Sequence, residues 1–190
     1  MTKGKKLVQA AVEFVEEVFA GQTRKGPEKK LKMAHMTEVL DLVRRAGGSF
    51  IEQQAAILHN AIEETHGPKD EMRREILHRF GKDVLLIVEE VTDPEEFKLL
   101  PARERKTAQA RRIAPGSDSS KRIKIADQIS NIREMIDNPP EGWSAEKCAD
   151  YLSGALRVVN ACRDASPALA VLFLEVYQEA VTKFPQPLDK

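Results

Sequence analysis

The sequence predicts an all-α fold, a single domain of about eight to ten helices covering residues 1–190. Three observations carry this. Apolar residues recur at helical spacing in nearly every stretch, as in Leu7, Ala11, Phe14, Val15 and Val18. Glycine and proline punctuate those stretches at Gly21, Gly47-Gly48, Gly67-Pro68, Gly81, Pro115-Gly116 and Pro139-Pro140. No run alternates apolar with polar residues as a half-buried strand does. A chain of 190 residues buries one sizeable core and is short for two.

The elements follow in order. The first helix carries the stripe from Leu7 to Phe19 and stops at Gly21, and a polar loop runs from Gln22 to Lys32. His35 opens a helix that continues to Ala46, where Gly47-Gly48 breaks it. The next helix covers residues 50–65, closed by Gly67-Pro68. Two more lie near Pro68–Phe80 and Lys82–Thr92, parted at Gly81. The polar connection at Asp93-Pro94 leads into a helix near Pro101–Ile113. Ala114-Pro115-Gly116-Ser117 precedes a long helix over Ser117–Asp137, which Pro139-Pro140-Glu141-Gly142 ends. The last two cover Ser144–Asp164 and Pro167–Phe184.

Composition narrows the function. Lysine and arginine total 30, aspartate and glutamate total 30, and the formal net charge is zero. A nucleic-acid polymer is therefore not the expected partner, because such binders carry a basic excess. Basic residues do cluster, at Arg24-Lys25, Lys29-Lys30, Arg103/Arg105/Lys106, Arg111-Arg112 and Lys121-Arg122-Lys124. Most of these read as solvated helix faces, and a small anionic substrate needs only a few of them. Cys148 and Cys162 have no CxxC partner and read as buried thiols in a reducing compartment. Glu13, Glu16 and Glu17 interrupt the apolar run from Leu7 to Phe19, which excludes a signal-peptide core or a membrane span there. A soluble cytoplasmic protein with no membrane partner is expected.

The chemistry-bearing residues stand out against this apolar helical background. They are His35, the run His59-Asn60-Ala61-Ile62-Glu63-Glu64, and Asp127 with Asn131. His59 and Glu63 are four apart, as are Asn60 and Glu64, and Asp127 and Asn131, so each pair shares a helix face. Their neighbours Ile57, Leu58, Ile62, Ile125, Ala126 and Ile129 predict burial. Buried carboxylates and imidazoles are costly unless they are paired or bind a metal. Helical bundles build metal sites in this way, from side chains on facing helices. A lone His-Asn dipeptide carries little weight, and a lone histidine at a helix start is more often a cap or a surface residue. The combination is what counts.

These segments resemble the metal-dependent HD-type hydrolase domain of the RelA/SpoT alarmone enzymes, and most of all the small stand-alone, metazoan SpoT homologue-like alarmone hydrolases. Arg24-Lys25-Gly26-Pro27-Glu28 resembles the family's Arg-Lys-Asp-Pro-Glu loop ahead of the first ligand histidine. Leu58-His59-Asn60-Ala61-Ile62-Glu63-Glu64 resembles its leucine-histidine-aspartate helix with the acidic pair. Phe80-Gly81, Val88-Glu89-Glu90-Val91-Thr92-Asp93 and Glu104-Arg105-Lys106 follow in the family's order. Lys124-Ile125-Ala126-Asp127, with Asn131-Ile132-Arg133, and Pro139-Pro140-Glu141-Gly142-Trp143-Ser144 with Tyr151 complete the pattern.

The resemblance implies an HD-type helical bundle that removes the 3′-pyrophosphate from a guanosine or adenosine alarmone. It implies one divalent ion, usually manganese, held by His35, His59, the residue at position 60 and Asp127. Imidazole and carboxylate together suit such an ion. Glu63 and Glu64 occupy the family's acidic pair, one of which would orient or deprotonate the attacking water. Arg24 and Lys25 would clamp substrate phosphates. Arg105 and Lys106 are weaker phosphate candidates, expected to be solvated. Asn131 would contact the nucleotide, and Trp143, Lys147 and Tyr151 would line its base or distal phosphate end. For Trp143, packing in the core is an equal expectation.

One position departs from the pattern. Asn60 stands where the family has aspartate, so a neutral carbonyl oxygen replaces a charged one. The site is then weakened, or inactivated, or altered yet working with the neutral oxygen. Milder departures are Glu64 for aspartate, Lys32 for tyrosine and Met36 for proline. Two other functions stay open on the sequence: a non-catalytic nucleotide sensor that keeps the pocket without the metal, and a phosphatase acting on another nucleotide such as NADPH.

Overall fold

Helix boundaries fall where capping residues stand. In the computed structural model, which describes residues 2–24 and 27–185, Thr2 caps α1 (Lys3–Val18) by accepting from the backbone of Lys5. Helix α2 (Lys32–Arg45) follows a loop folded back on itself. Arg24 N–H donates to Lys30 and Lys32 N–H to Gln22, around an isolated bridge between Thr23 and Leu31. Ser49 and Glu52 form a reciprocal capping box that starts α3 (Phe50–Leu58). The one-turn α4 (Ala61–Glu64) comes next, then α5 (Lys69–Phe80) and α6 (Lys82–Val91). Gly81 parts the last two at φ 88°, a left-handed conformation that a side chain would strain.

A short 3-10 turn, Glu95–Leu99, leads into α7 (Ala102–Ile113). The hydroxyls of Ser117, Ser144 and Ser166 cap α8 (Asp118–Asp137), α9 (Ala145–Asn160) and α10 (Pro167–Lys183), and Pro167 takes the first position of α10, where its missing N–H costs nothing. The described residues thus form ten α-helices and two 3-10 turns, and no strand is formed among them beyond that one bridge. The all-α expectation holds.

Two boundaries differ from the sequence reading. Helix α2 begins at Lys32, a turn before His35, so His35 sits inside it. Residues 50–65 are two helices, because the chain turns at His59-Asn60. The cause is the imidazole of His59, whose Nδ1 bonds the Ala56 carbonyl at 2.7 Å. That carbonyl is the one an uninterrupted helix would offer to the N–H of residue 60. The side chain takes it, and the helix ends there.

Helix α8 is the hub. It packs against α2, α3, α6, α9 and α10. Ile123, Ile125, Ala126, Ile129 and Ile132 are fully buried on it, but so are Lys124, Gln128 and Ser130. A helix buried on nearly every face must satisfy its polar side chains inside the protein. Lys124 and Gln128 do so around one cavity, and Ser130 by bonding Glu38. No helix among the described residues is long and apolar enough to cross a membrane.

Candidate metal centre

Three helices bring His35, His59 and Asp127 together. Their ligand atoms lie within 4.8 Å of one another, with both histidines buried and Asp127 nearly so. His35 Nε2 is 3.1 Å from His59 Nε2 and 3.4 Å from Asp127 Oδ1, and His59 Nε2 is 3.8 Å from that oxygen. His59 donates its Nδ1 proton to the Ala56 carbonyl. His35 Nδ1 lies 2.8 Å from Ser130 Oγ, while the Ser130 hydroxyl donates to Glu38 Oε2 at 2.6 Å, so the serine oxygen accepts from the ring. With one proton on a ring, that proton sits on the outer nitrogen. The inner nitrogens face one another as bare lone pairs beside a carboxylate oxygen. A cation would satisfy such a set, and two imidazoles with a carboxylate suit a divalent one.

The electrostatics agree. Burial, reinforced by the neighbouring His35, lowers the pKa of His59 from 6.5 to about 4, so the ring is neutral and available as a ligand. Burial alone would raise Asp127, but the approach of His35 at 3.4 Å and the charge of Lys124 outweigh that and hold it well below the ordinary carboxylate range.

Asp127 also ends two hydrogen-bonded relays. Arg24 Nη2 donates to Asn131 Oδ1 at 2.6 Å, and Asn131 Nδ2 donates to Asp127 Oδ1 at 2.7 Å. Lys106 Nζ donates to Gln128 Oε1 at 2.8 Å, and Gln128 Nε2 to Asp127 Oδ2 at 2.7 Å. Each amide is thereby fixed in orientation, and each relay starts at a cation lining the cavity.

The cavity measures about 510 Å³, the size of a small-molecule site. Arg24, His35, Asn60, Glu63, Glu64, Asp127, Asn131, Trp143 and Tyr151 all line it, so the structure gathers nine of the residues singled out in the sequence. His59 is buried behind His35. The side chain of Asn60 makes no hydrogen bond among the described residues, which leaves its amide free to turn. Asn131 lines the wall, but both ends of its amide are engaged by protein. Trp143 packs on the core and on Tyr151, with ring centroids 5.5 Å apart, and also faces the cavity. Lys147 is not brought in. It is exposed on the first turn of α9, with its ammonium 4.9 Å over the Trp143 ring. Lys25 lies outside the described residues.

Several cavity residues were missed or misjudged. Lys106 and Lys124, read from sequence as solvated, are both buried. Lys106 lies 4.6 Å over the Tyr151 ring, and burial lowers its pKa from 10.5 to about 8. Lys124 donates to the Val91 carbonyl at 3.2 Å and stands 3.7 Å from Asp93. Although burial opposes it, the charges of Asp93, Asp127 and Glu63 raise its pKa, so it stays an ammonium. Asp93 in turn accepts from Gln109. The signal was present: Lys124, Asp127, Gln128 and Asn131 recur at three- and four-residue steps on one helix. The acidic pair is divided. Glu64 is bound to Lys32 at 2.8 Å, whereas burial and the charge of Asp93 raise the pKa of Glu63.

Comparison with known proteins agrees with this geometry. Residues 11–153 match the model of the HD domain. A Xenopus tropicalis protein named guanosine-3′,5′-bis(diphosphate) 3′-pyrophosphohydrolase MESH1 is 36% identical over 171 residues, covering 89% of this chain and 92% of its own length. The Homo sapiens protein of that name is 35% identical over 152 residues, covering 79% and 81%. A solved structure described as a metazoan ortholog of SpoT that hydrolyzes ppGpp superimposes with a TM-score of 0.80 at 27% identity, covering 91% of this chain and 94% of its own. The chain belongs to the HD-domain family and, within it, to the group that contains these MESH1 relatives.

Proposed function

We propose that this protein is a metal-dependent hydrolase that removes the 3′-pyrophosphate from a guanosine alarmone such as ppGpp, with manganese as its ion. The observation that carries the proposal is the set of His35 Nε2, His59 Nε2 and Asp127 Oδ1 beside a cavity whose walls carry Arg24, Arg105, Lys106 and Lys124. The activity is the one its MESH1 relatives are named for.

His35, His59 and Asp127 would hold the ion, with the Asn60 carbonyl oxygen as a neutral fourth ligand. When bound, it supplies Lewis acidity at the phosphoryl group and lowers the pKa of water at the site. The protein's own residues do the rest. Arg24, anchored by Asn131, and the cations Arg105 and Lys106 grip phosphate oxygens. Lys124 offsets the charge of Asp93 and Asp127 behind them. Trp143 and Tyr151 offer ring faces to the nucleoside. Glu63 is the general base: its raised pKa brings the carboxylate nearer to the operating pH, which favours proton abstraction from the attacking water. Glu64, paired with Lys32, orients rather than abstracts.

The test is incubation with manganese and ppGpp, read as free pyrophosphate. Release is expected, and Glu63→Gln should lower kcat by roughly 100-fold or more. Absence of release from both the natural chain and Asn60→Asp would overturn the proposal.

A further inference from the structure

Behind His35, on the side away from the nucleotide-sized cavity, a second cavity of about 370 Å³ opens between α2 and α8, lined by His35, Glu38, Arg133 and Glu134 among others. Across it runs a chain of three polar contacts. Arg133 Nη1 donates to Glu38 Oε1 at 2.8 Å, the Ser130 hydroxyl donates to Glu38 Oε2 at 2.6 Å, and His35 Nδ1 meets the Ser130 oxygen at 2.8 Å. Ser130 is buried, while the Glu38 and Arg133 side chains are 33% and 38% exposed. The chain therefore links the protein surface to the back of a candidate metal ligand.

Its direction matters. A serine hydroxyl has one proton. If that proton went to His35 Nδ1, the ring would carry its own hydrogen on Nε2, pointing at Asp127 and His59, and the position where the ligand atoms converge would be filled by a proton. The carboxylate of Glu38, fixed by Arg133, accepts the serine proton instead. Ser130 is then left to accept from Nδ1–H, and the Nε2 lone pair is exposed toward His59 and Asp127. Partners at the outer nitrogen of a ligating histidine fix its tautomer in this way.

We propose that Glu38 is a positioning residue that, through Ser130, sets the tautomer of His35 and so the readiness of the site for a metal ion. The inference rests on the metal-ligand reading above, but not on any substrate or reaction.

The experiment uses the full chain, stripped of metal, in four forms: unaltered, Glu38→Leu, Ser130→Ala and the double variant. The tautomer of His35 is read from imidazole 15N chemical shifts, and manganese affinity from electron paramagnetic resonance titration. The unaltered chain should show Nδ1–H, whereas Glu38→Leu should shift the ring toward Nε2–H and weaken manganese binding by roughly 10–100-fold. Ser130→Ala should weaken binding to a similar degree, and adding Glu38→Leu to it should change nothing further, because the relay is already cut. Glu38 is half-exposed, so the melting temperature should stay close to that of the unaltered chain. An unchanged tautomer and affinity in Glu38→Leu, or losses that add in the double variant, would overturn the proposal. Manganese binding without alarmone hydrolysis would contradict the proposed function and leave this inference standing.

Discussion

His35 Nε2 and His59 Nε2 face one another at 3.1 Å, and each ring's other nitrogen donates its N–H outward, to Ser130 and to the Ala56 carbonyl. Two lone pairs so placed repel. Hydrogen bonds to Ala56 of α3 and Ser130 of α8 hold the two rings, and a cation between them would turn the repulsion into two bonds. Four consequences can be measured.

The metal-free protein should lose stability on mild acidification. The folded pKa of His59, about 4, lies below its unfolded value of 6.5. Between those values the unfolded chain holds a proton that the folded one refuses, so stability is complete above pH 6.5 and falls as the pH drops toward 4. The loss should be about 3 kcal/mol. Asp127, held below its ordinary range, adds a further loss at still lower pH. Urea melts of chelated protein across this range check it, and a flat profile between pH 7 and 4 would contradict it.

Asn60→Asp should tighten manganese binding by roughly tenfold or more, since a charged oxygen replaces a neutral one beside two imidazoles. The Asn60 side chain makes no hydrogen bond among the described residues, so the change breaks nothing. Calorimetric titration of both proteins with manganese decides this.

Lys124→Met should destabilise the fold by about 3–5 kcal/mol, because it leaves Asp93, Asp127 and Glu63 facing one another without their buried cation. The melting temperature should fall by on the order of 10 °C. A drop of only a degree or two would show that the ammonium is dispensable.

Arg105 lines the cavity and its side chain makes no hydrogen bond or ion pair among the described residues, which leaves its guanidinium available to substrate. Arg105→Met should raise KM for ppGpp roughly tenfold or more, the worth of a charged hydrogen bond, with the melting temperature unchanged.

The fold was legible because apolar residues recur at helical spacing and glycines and prolines punctuate the helices, as Gly81 does between α5 and α6. The break at His59-Asn60 was not. It arises from a side chain bonding its own helix, and no propensity reports that. The cluster of His35, His59 and Asp127 was legible as polar residues in apolar helical stretches. The inward turn of Lys106 and Lys124 was not read: for Lys124 the helical steps shared with Asp127 and Asn131 carried a signal, whereas Lys106 had none, because a lysine that turns inward has the same sequence as one that turns out. What holds them inside is Gln128 and Asp93, partners from distant parts of the chain. Lys147 shows the reverse, a plausible position in sequence that the first turn of α9 carries outside the cavity.

The most direct test is manganese stoichiometry measured by electron paramagnetic resonance on the unaltered chain and on Asp127→Ala. The predicted result is one ion per chain, lost in the variant. Failure of the unaltered chain to bind manganese, or binding that survives the loss of Asp127, would contradict a site built from His35, His59 and Asp127.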